Sequence, residues 1–534
     1  MKPIRLISGF LTVGVWTLLS RILGFVRDIL IAGYLGTGPV AQAFLVAFSL
    51  PNMFRRFFAE GAFNMAFVPM FSKKLQDTEN AGADAKTFAQ DAFMGLAFVL
   101  AIFTALGVIF MPALVLMMAS GFKGDERFDL AVEYGRLAFP YILFISLAAL
   151  VSGVLNATGR FAAAAAAPVL LNLIFICTLI WAATLDNTTI VDLGSNVTFM
   201  TREAYIGSSL AWAVPLAGLA QLALVWWAAR RAGFTFRLRM PRLTPDLRKL
   251  AVIAAPAMLA GGVMQINLLV GRQVASFYDG AIAWLSYADR LYQLPLGVVA
   301  IALGVVLLPD LSRRLAAGDL DGGRDAFNRA AELALALTIP AAVALIVIAQ
   351  DLVSVLFQRG AFDSDDAAAT ALAVMVYGAG LPAFVLQKAM QPLYFARGDT
   401  KRPFYYAAVA MVANAGIAIG LSMYIGYIAA ALATTLAGWV MVWLLWRGSR
   451  TMGDAAQFDA RFKTRFWRIM LASMLMGALL WNTVLLVGPA LGMDTIRYGA
   501  LAFVVIVGMA GYFLIGRLVG AFRVSEFKAA MRRG

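Results

Sequence analysis

Apolar runs long enough to cross a bilayer recur fourteen times along the 534 residues, and no other feature limits the possible folds as tightly. A helix rises about 1.5 Å per residue, so roughly 20 apolar residues span the hydrocarbon core. The runs lie near 6–35, 40–71, 89–117, 134–156, 162–185, 204–229, 248–271, 280–308, 327–349, 367–395, 404–422, 425–446, 466–487 and 496–516. Backbone polar groups in lipid must be satisfied within the protein, which leaves helices or closed barrels. A barrel would show short alternating segments instead. Composition agrees with helices: hydrophobic residues are 62% of the chain and charged residues 14%, with a mean hydropathy of +0.80. The fold class predicted is therefore an all-α polytopic membrane protein with fourteen transmembrane helices. MKPIRLISGF has no small-residue cleavage site before its apolar run continues, so it reads as the start of the first span.

Several chemistries are excluded by residues the sequence lacks. Histidine is absent, which removes histidine metal sites, Ser-His triads and imidazole proton relays. Cys177 is the one cysteine, so no intrachain disulfide forms. No G-x-x-x-x-G-K loop exists, so the chain has no ATPase of its own. A net charge of +14 would suit nucleic acid, but the basic residues sit in the short connections between runs, where membrane topology explains them. Connections on the side of the N-terminus carry 30 Lys/Arg and the opposite set 6, with eight more in or beside spans, which places both termini in the cytoplasm. The largest basic block, 230–249, reads as a hinge between two halves; contact with anionic headgroups is the alternative to plain topological bias.

An internal repeat supports two halves. FVPMFSKKL (67–75) aligns with VLLPDLSRRL (306–315), pairing Pro69 with Pro309, Ser72 with Ser312 and Leu75 with Leu315, each 240 residues apart. The same offset carries 43–48 onto 283–288, and NATGRF (156–161) resembles ARGDTKRP (396–403) at nearly that spacing. Six spans per half preserve orientation, hence a parallel repeat of two six-helix lobes with two C-terminal helices left over. The expected domains are 1–235, 236–450 and 451–534. Spans 2 and 8 are predicted to break at Pro51 and Pro295, and broken helices at equivalent places mark a substrate site.

Charged residues gather at these places. Arg21, Arg27, Arg55 and Arg56 sit in apolar sequence, where a cation persists only if it faces a bundle interior or a wet cavity. Gly24 lies about 60° from both Arg21 and Arg27 on a helical wheel, leaving room between them. Asn52, Arg55 and Arg56 share a face, as do Ser286, Asp289, Arg290 and Gln293 in span 8. The five arginines exceed the nearby carboxylates Asp28, Glu60 and Asp289 by two. Guanidinium groups bind phosphate oxygens bidentately and stay charged, so the pattern points to an anionic, phosphate-bearing substrate in a cationic intramembrane pocket. Structural readings stand beside this one: Arg56 and Glu60, four apart, suit mutual neutralisation, and Arg136 suits an interfacial anchor. Lys388 in span 10 is open between the two. Acidic residues in LFQRGAFDSDD (356–366) suit a solvated loop better than a metal site.

SRILGFVRD, LPNMFRRFFAEGAFNMAFVP, YADRL, LFQRGAFD and ARGDTKRP, in that order along nearly the whole chain, resemble the MurJ (MviN) family of lipid II flippases, within the multidrug/oligosaccharidyl-lipid/polysaccharide exporter superfamily. The resemblance implies two lobes around a V-shaped cavity, a tail groove made by the last two helices, and alternating access. It also implies transport of lipid II, the undecaprenyl-pyrophosphate-linked peptidoglycan precursor, from the inner to the outer leaflet of the bacterial inner membrane. The family's essential cavity arginines map onto Arg21, Arg27, Arg55 and Arg290. The substrate-binding set expected on these grounds is Ser20, Arg21, Arg27, Asn52, Arg55, Asp289 and Arg290. Gly24, Asp28, Pro51, Arg56, Glu60, Pro295 and Lys388 are expected as hinge or supporting residues. Gln42 and Gln293 stand where the family often has acidic residues. No enzyme activity, cofactor or metal is implied; the partners are lipid II, membrane lipids and, as a candidate, the cell-wall synthesis machinery. Three other readings fare worse. A drug/cation antiporter, or another lipid-linked oligosaccharide exporter of the superfamily, is the alternative closest in fold, but an antiporter calls for an acidic cavity. A glycosyltransferase would need catalytic carboxylates in a large outer loop. A scaffold without transport leaves the intramembrane arginines unexplained.

Overall fold

Hydrophobic runs fold as helices here because a helix satisfies its own backbone, and the chain is helical nearly throughout. The computed structural model describes residues 6–56, 58, 62–76, 81–184, 188–192, 197–237 and 239–521. In order, these form α1 (Leu6–Leu35), α2 (Pro39–Arg55), α3 (Ala62–Lys74), α4 (Ala81–Ile109), α5 (Met111–Met118), α6 (Glu126–Ala138), α7 (Tyr141–Ala157) and α8 (Ala162–Ala183). A hairpin of β1 (Thr188–Asp192) and β2 (Val197–Thr201) follows, then α9 (Arg202–Arg231) and α10 (Pro245–Ser276). The remainder comprises α11 (Ala281–Ala316), α12 (Leu320–Val347), α13 (Ala349–Phe357), α14 (Ser364–Phe395), α15 (Lys401–Ile425), α16 (Ile428–Ser449), α17 (Ala460–Leu491) and α18 (Arg497–Val519). Among the described residues ten helical segments are long and apolar enough to cross a membrane. The antiparallel hairpin, with Thr188 opposite Thr201, is the one pair of β-strands among those residues and departs from the all-α expectation.

By contacts the chain divides into two compact units: Met1–Ala283 with Arg359–Phe362, and Trp284–Gln358 with Asp363–Gly534. The division puts α10 with the first unit and α17 and α18 with the second.

In the first unit, side chains on buried faces of α2, α6, α7 and α9 form the core, including Phe44, Tyr134, Tyr141 and Val214. The stretch predicted as a hinge is docked on α4 over part of its length. Gln90 on α4 exchanges two hydrogen bonds with the backbone of Arg237 (2.6 and 2.7 Å), and Arg239 pairs with Asp91. Phe234 and Phe236 are buried, the latter with its ring tilted against Phe93 at a centroid distance of 4.9 Å. Sequence could not show this, because a basic block looks the same whether solvated or docked.

The proline breaks are also corrected. α2 runs through Pro51 and ends four residues later at Arg55; α11 continues unbroken through Pro295. A proline costs a helix one backbone hydrogen bond, which apolar packing on the neighbouring turns tolerates.

In the second unit α17 and α18 lie on α12. Leu335, Ile339, Ile469, Met476, Leu480 and Val504 share one buried cluster, and the Tyr512 hydroxyl donates to Ala336 O at 2.7 Å. At one end Glu332 joins Arg329, Arg461 and Arg465, while Arg329 also pairs with Asp459, the residue that caps α17.

The helix order repeats. Pairs α1 and α10 (Leu6, Pro245), α4 and α12 (Ala81, Leu320), α5 and α13 (Met111, Ala349), α6 and α14 (Glu126, Ser364), and α8 and α15 (Ala162, Lys401) each start 238 or 239 residues apart. The turn after α7 and the turn after α14 are built alike. Gly159 (φ +76°) and Gly398 (φ +72°) adopt left-handed backbone, with Arg160 N donating to Leu155 O and Asp399 N to Tyr394 O.

One close approach in the first unit can be tested. A Cβ on Gly121 would meet the backbone of Ser276 and Phe277 at 2.5–2.6 Å, and Gly121 N donates to Ser276 Oγ at 2.9 Å. Backbone cannot swing aside, so Gly121→Ala should destabilise by about 1–3 kcal/mol. Gly416→Ala, in open space on α15, should be neutral or stabilising by up to about 1 kcal/mol. Thermal unfolding of the solubilised protein checks the contrast; equal melting temperatures would refute it.

Candidate functional site

Ser20, Gly24 and Arg27 fall at i, i+4 and i+7 and so line one face of α1. That face meets Asn172 of α8. Arg27 is 6% exposed, Asp28 7% and Asn172 5%. A buried guanidinium is tolerable only with its N–H groups satisfied and its charge paired. Arg27 Nη2 and Nε donate to Asp28 Oδ1 at 2.7 and 3.0 Å, and Nη1 donates to Asn172 Oδ1 at 2.9 Å. Phe48 of α2 and Phe175 of α8 lie 6.0 and 5.6 Å from the guanidinium carbon, adding cation–π attraction. Asn172 Nδ2 donates back to α1, to Ser20 O at 2.8 Å and Ser20 Oγ at 3.3 Å. A Cβ on Gly24 would touch the Asn172 amide at 3.5 Å, an ordinary contact, so the glycine is not sterically required there.

The other expected residues of the first unit lie as follows. Arg21 is exposed; Asn52 and Arg55 are half-buried on α2, and Arg56, just past its end, is exposed. Asn52 Nδ2 donates to Phe48 O on its own helix at 2.8 Å. Pro51 is buried within α2, and Glu60 lies outside the described residues. Gln42 is 2% exposed and its Oε1 accepts no hydrogen bond among the described residues. In the second unit Asp289 is half-buried and accepts from Gln293 Nε2, whereas Arg290 and Lys388 are exposed. Tyr292 beside them packs on Tyr377 and Phe384, with ring centroids at 4.9 and 5.6 Å. Pro295 is half-buried one turn on.

Asn172 was missed by sequence reasoning. The signal was there, since a lone amide inside an apolar span seeks a partner on another helix, but nothing in the sequence named which. The acidic stretch 363–366 is explained by capping: Asp363 and Asp366 form a reciprocal box at the start of α14, and Asp366 also accepts from Trp284 Nε1 at 2.8 Å. In the turn after α14, burial lowers the pKa of Arg397 from its ordinary value, and its Nη1 donates to Leu393 O at 2.7 Å.

The arrangement makes Asp28 the charge partner of a buried cation. Asp28→Ala should therefore destabilise the protein by about 3–5 kcal/mol, whereas Arg21→Ala, at an exposed position, should stay within about 0.5 kcal/mol. Unfolding of the purified variants decides it; a smaller loss for Asp28→Ala than for Arg21→Ala would contradict the pairing.

The family model described as Lipid II flippase MurJ matches residues 31–506. The probable lipid II flippase MurJ of Rhizobium tropici is 41% identical over 536 residues, covering 99% of this chain and 97% of the relative. The lipid II flippase MurJ of Burkholderia cenocepacia is 34% identical, covering 78% and 81%. Among solved structures, lipid II flippase MurJ in an inward closed conformation aligns with a TM-score of 0.76 at 24% identity, covering 95% of this chain and 98% of that one. An inward-facing multidrug resistance MATE family transporter of the MOP superfamily aligns with a TM-score of 0.62 at 17% identity, covering 81% and 94%. These structural likenesses speak for the fold, and the sequence matches speak for descent: the chain belongs to the MurJ family of lipid II flippases.

Proposed function

We propose that this protein moves lipid II from the inner to the outer leaflet of the bacterial cytoplasmic membrane by alternating access, and that arginines set in apolar helices bind its pyrophosphate. The observation that carries the reading is the buried Arg27, held in α1 by Asp28 and Asn172. An ionisable residue kept at such cost inside a membrane helix is functional by default. Arginine suits a pyrophosphate because its planar fork meets phosphate oxygens two at a time and does not deprotonate. Arg21 and Arg55 of the first unit and Arg290 of the second complete the set, with Ser20, Asn52 and Asp289 as polar neighbours. The reaction breaks no bond, so the protein acts as a transporter and not an enzyme.

The proposal includes fourteen spans. To the ten apolar segments it adds α1, the α2–α3 pair, α10 and α11. Residues 1–235 and 236–450 form two lobes related by the parallel repeat, which the shared helix spacing and matching turns support; 451–534 carries the lipid-tail groove on α17 and α18. Both termini face the cytoplasm, since positive charge concentrates in the connections on their side. A drug/cation antiporter is the second reading, favoured by the likeness of fold to a MATE transporter. It requires an acidic cation site, and the arginine excess opposes that.

Leaflet-resolved lipid II separates the two. In cells depleted of the protein, lipid II should become inaccessible to an externally added cleaving enzyme, wild type should restore access, and Arg290→Ala should not. Undiminished access after depletion would reject the flippase reading and favour the antiporter.

A further inference from the structure

Arg27 is held by a residue on another helix that also grips the backbone of its own helix. The Asn172 amide is planar, so its oxygen and nitrogen turn together. The oxygen faces the Arg27 donors and the nitrogen faces the Ser20 carbonyl and hydroxyl oxygens, an orientation that the opposite flip would reverse into donor against donor. The two bonds lie on either side of Gly24, on the same face of α1. The amide is 5% exposed, so water does not substitute freely for either partner.

We infer that Asn172 is a positioning residue that couples the placement of the Arg27 guanidinium to the shape of α1 between Ser20 and Arg27. The inference rests on the proposed role of Arg27 in binding the pyrophosphate. An anion arriving at Arg27 competes with the Asn172 oxygen for Nη1. A bend in α1 at this turn draws Ser20 O from the Asn172 nitrogen and rotates the amide plane away from Arg27. Both events act on one amide, so by linkage each favours the other. Packing alone does not ask for an amide here, because leucine offers the same branched side-chain outline without either hydrogen bond.

A double-mutant cycle tests this in the full-length protein in cells, with leaflet-resolved lipid II accessibility normalised to the amount of protein in the membrane. The variants are Asn172→Leu, Arg27→Gln and the pair. A misplaced binding group costs on the order of 10- to 100-fold in rate, so Asn172→Leu should lower flipping by about 10-fold or more. The pair should be no worse than Arg27→Gln alone, because Asn172 acts through Arg27. Asn172→Gln, which keeps both amide groups on a longer arm, should recover part of the activity, as a purely space-filling role would not require. If Asn172→Leu is lost from the membrane, Asn172→Ser, too short to reach both partners, is measured in its place with the same expectations. Wild-type flipping by the Asn172 variant, or a pair whose defect is the product of the two single defects, overturns the inference while leaving the flippase reading intact. Wild-type flipping by Arg27→Gln removes Arg27 from the site and overturns both its proposed role and the inference.

Discussion

Desolvating one guanidinium organises much of the first unit. A charge taken from water into apolar surroundings must recover its lost solvation from fixed partners. Arg27 cannot find them all on its own helix, where only Asp28 is adjacent. The missing acceptor comes from Asn172, 145 residues away, and the ring faces from Phe48 and Phe175. Meeting that demand brings α1, α2 and α8 together at one height. The interaction is thus both a packing constraint and a candidate site, and that double role is why a position so costly to fold is compatible with selection for transport.

Charge clusters elsewhere obey the same physics toward a different end. Glu332 on α12 is shared by Arg329, Arg461 and Arg465, and Asn328 receives the Asp459 N–H at 3.0 Å while its own amide donates to Gln457 O at 3.0 Å. Several partners satisfy one carboxylate there, and the result fixes the start of α17 on α12. The apolar cluster around Leu335, Ile469 and Leu480 continues the contact along the helices. Such redundancy makes a joint. A single amide bridging one arginine and one carbonyl is instead an arrangement that a ligand can compete with.

Much of this was legible in the sequence, for physical reasons. Span positions follow from hydropathy, because lipid exposure demands apolar surface along the full length of each helix. The repeat was legible through Pro69 and Pro309, and through the glycines at 159 and 398, whose left-handed backbone excludes most other residues. Arg27 stood out because a cation in an apolar run is rare. Its partner did not, since the pairing of helices depends on tertiary packing that hydropathy does not encode. The same limit hid the docking of Arg239 on Asp91 and the hydrogen bonds between Gln90 and Arg237. Proline misled for another reason. Its cost is local, and whether it breaks a helix depends on the packing around it, as the continuous α11 illustrates.

The two glutamines that stand where the resemblance implied acidic residues, Gln42 and Gln293, bear on how transport can be driven. Gln42 is buried and Gln293 donates to Asp289, and neither side chain can take up or release a proton. The chain has no histidine to take that part instead. Protonation at positions 42 and 293 therefore cannot supply the driving force. Neutral amides there also leave the excess of arginines over carboxylates in these helices undiminished. On the proposed function, release of the anion can come from geometry, by returning Arg27 to its internal acceptors Asp28 and Asn172.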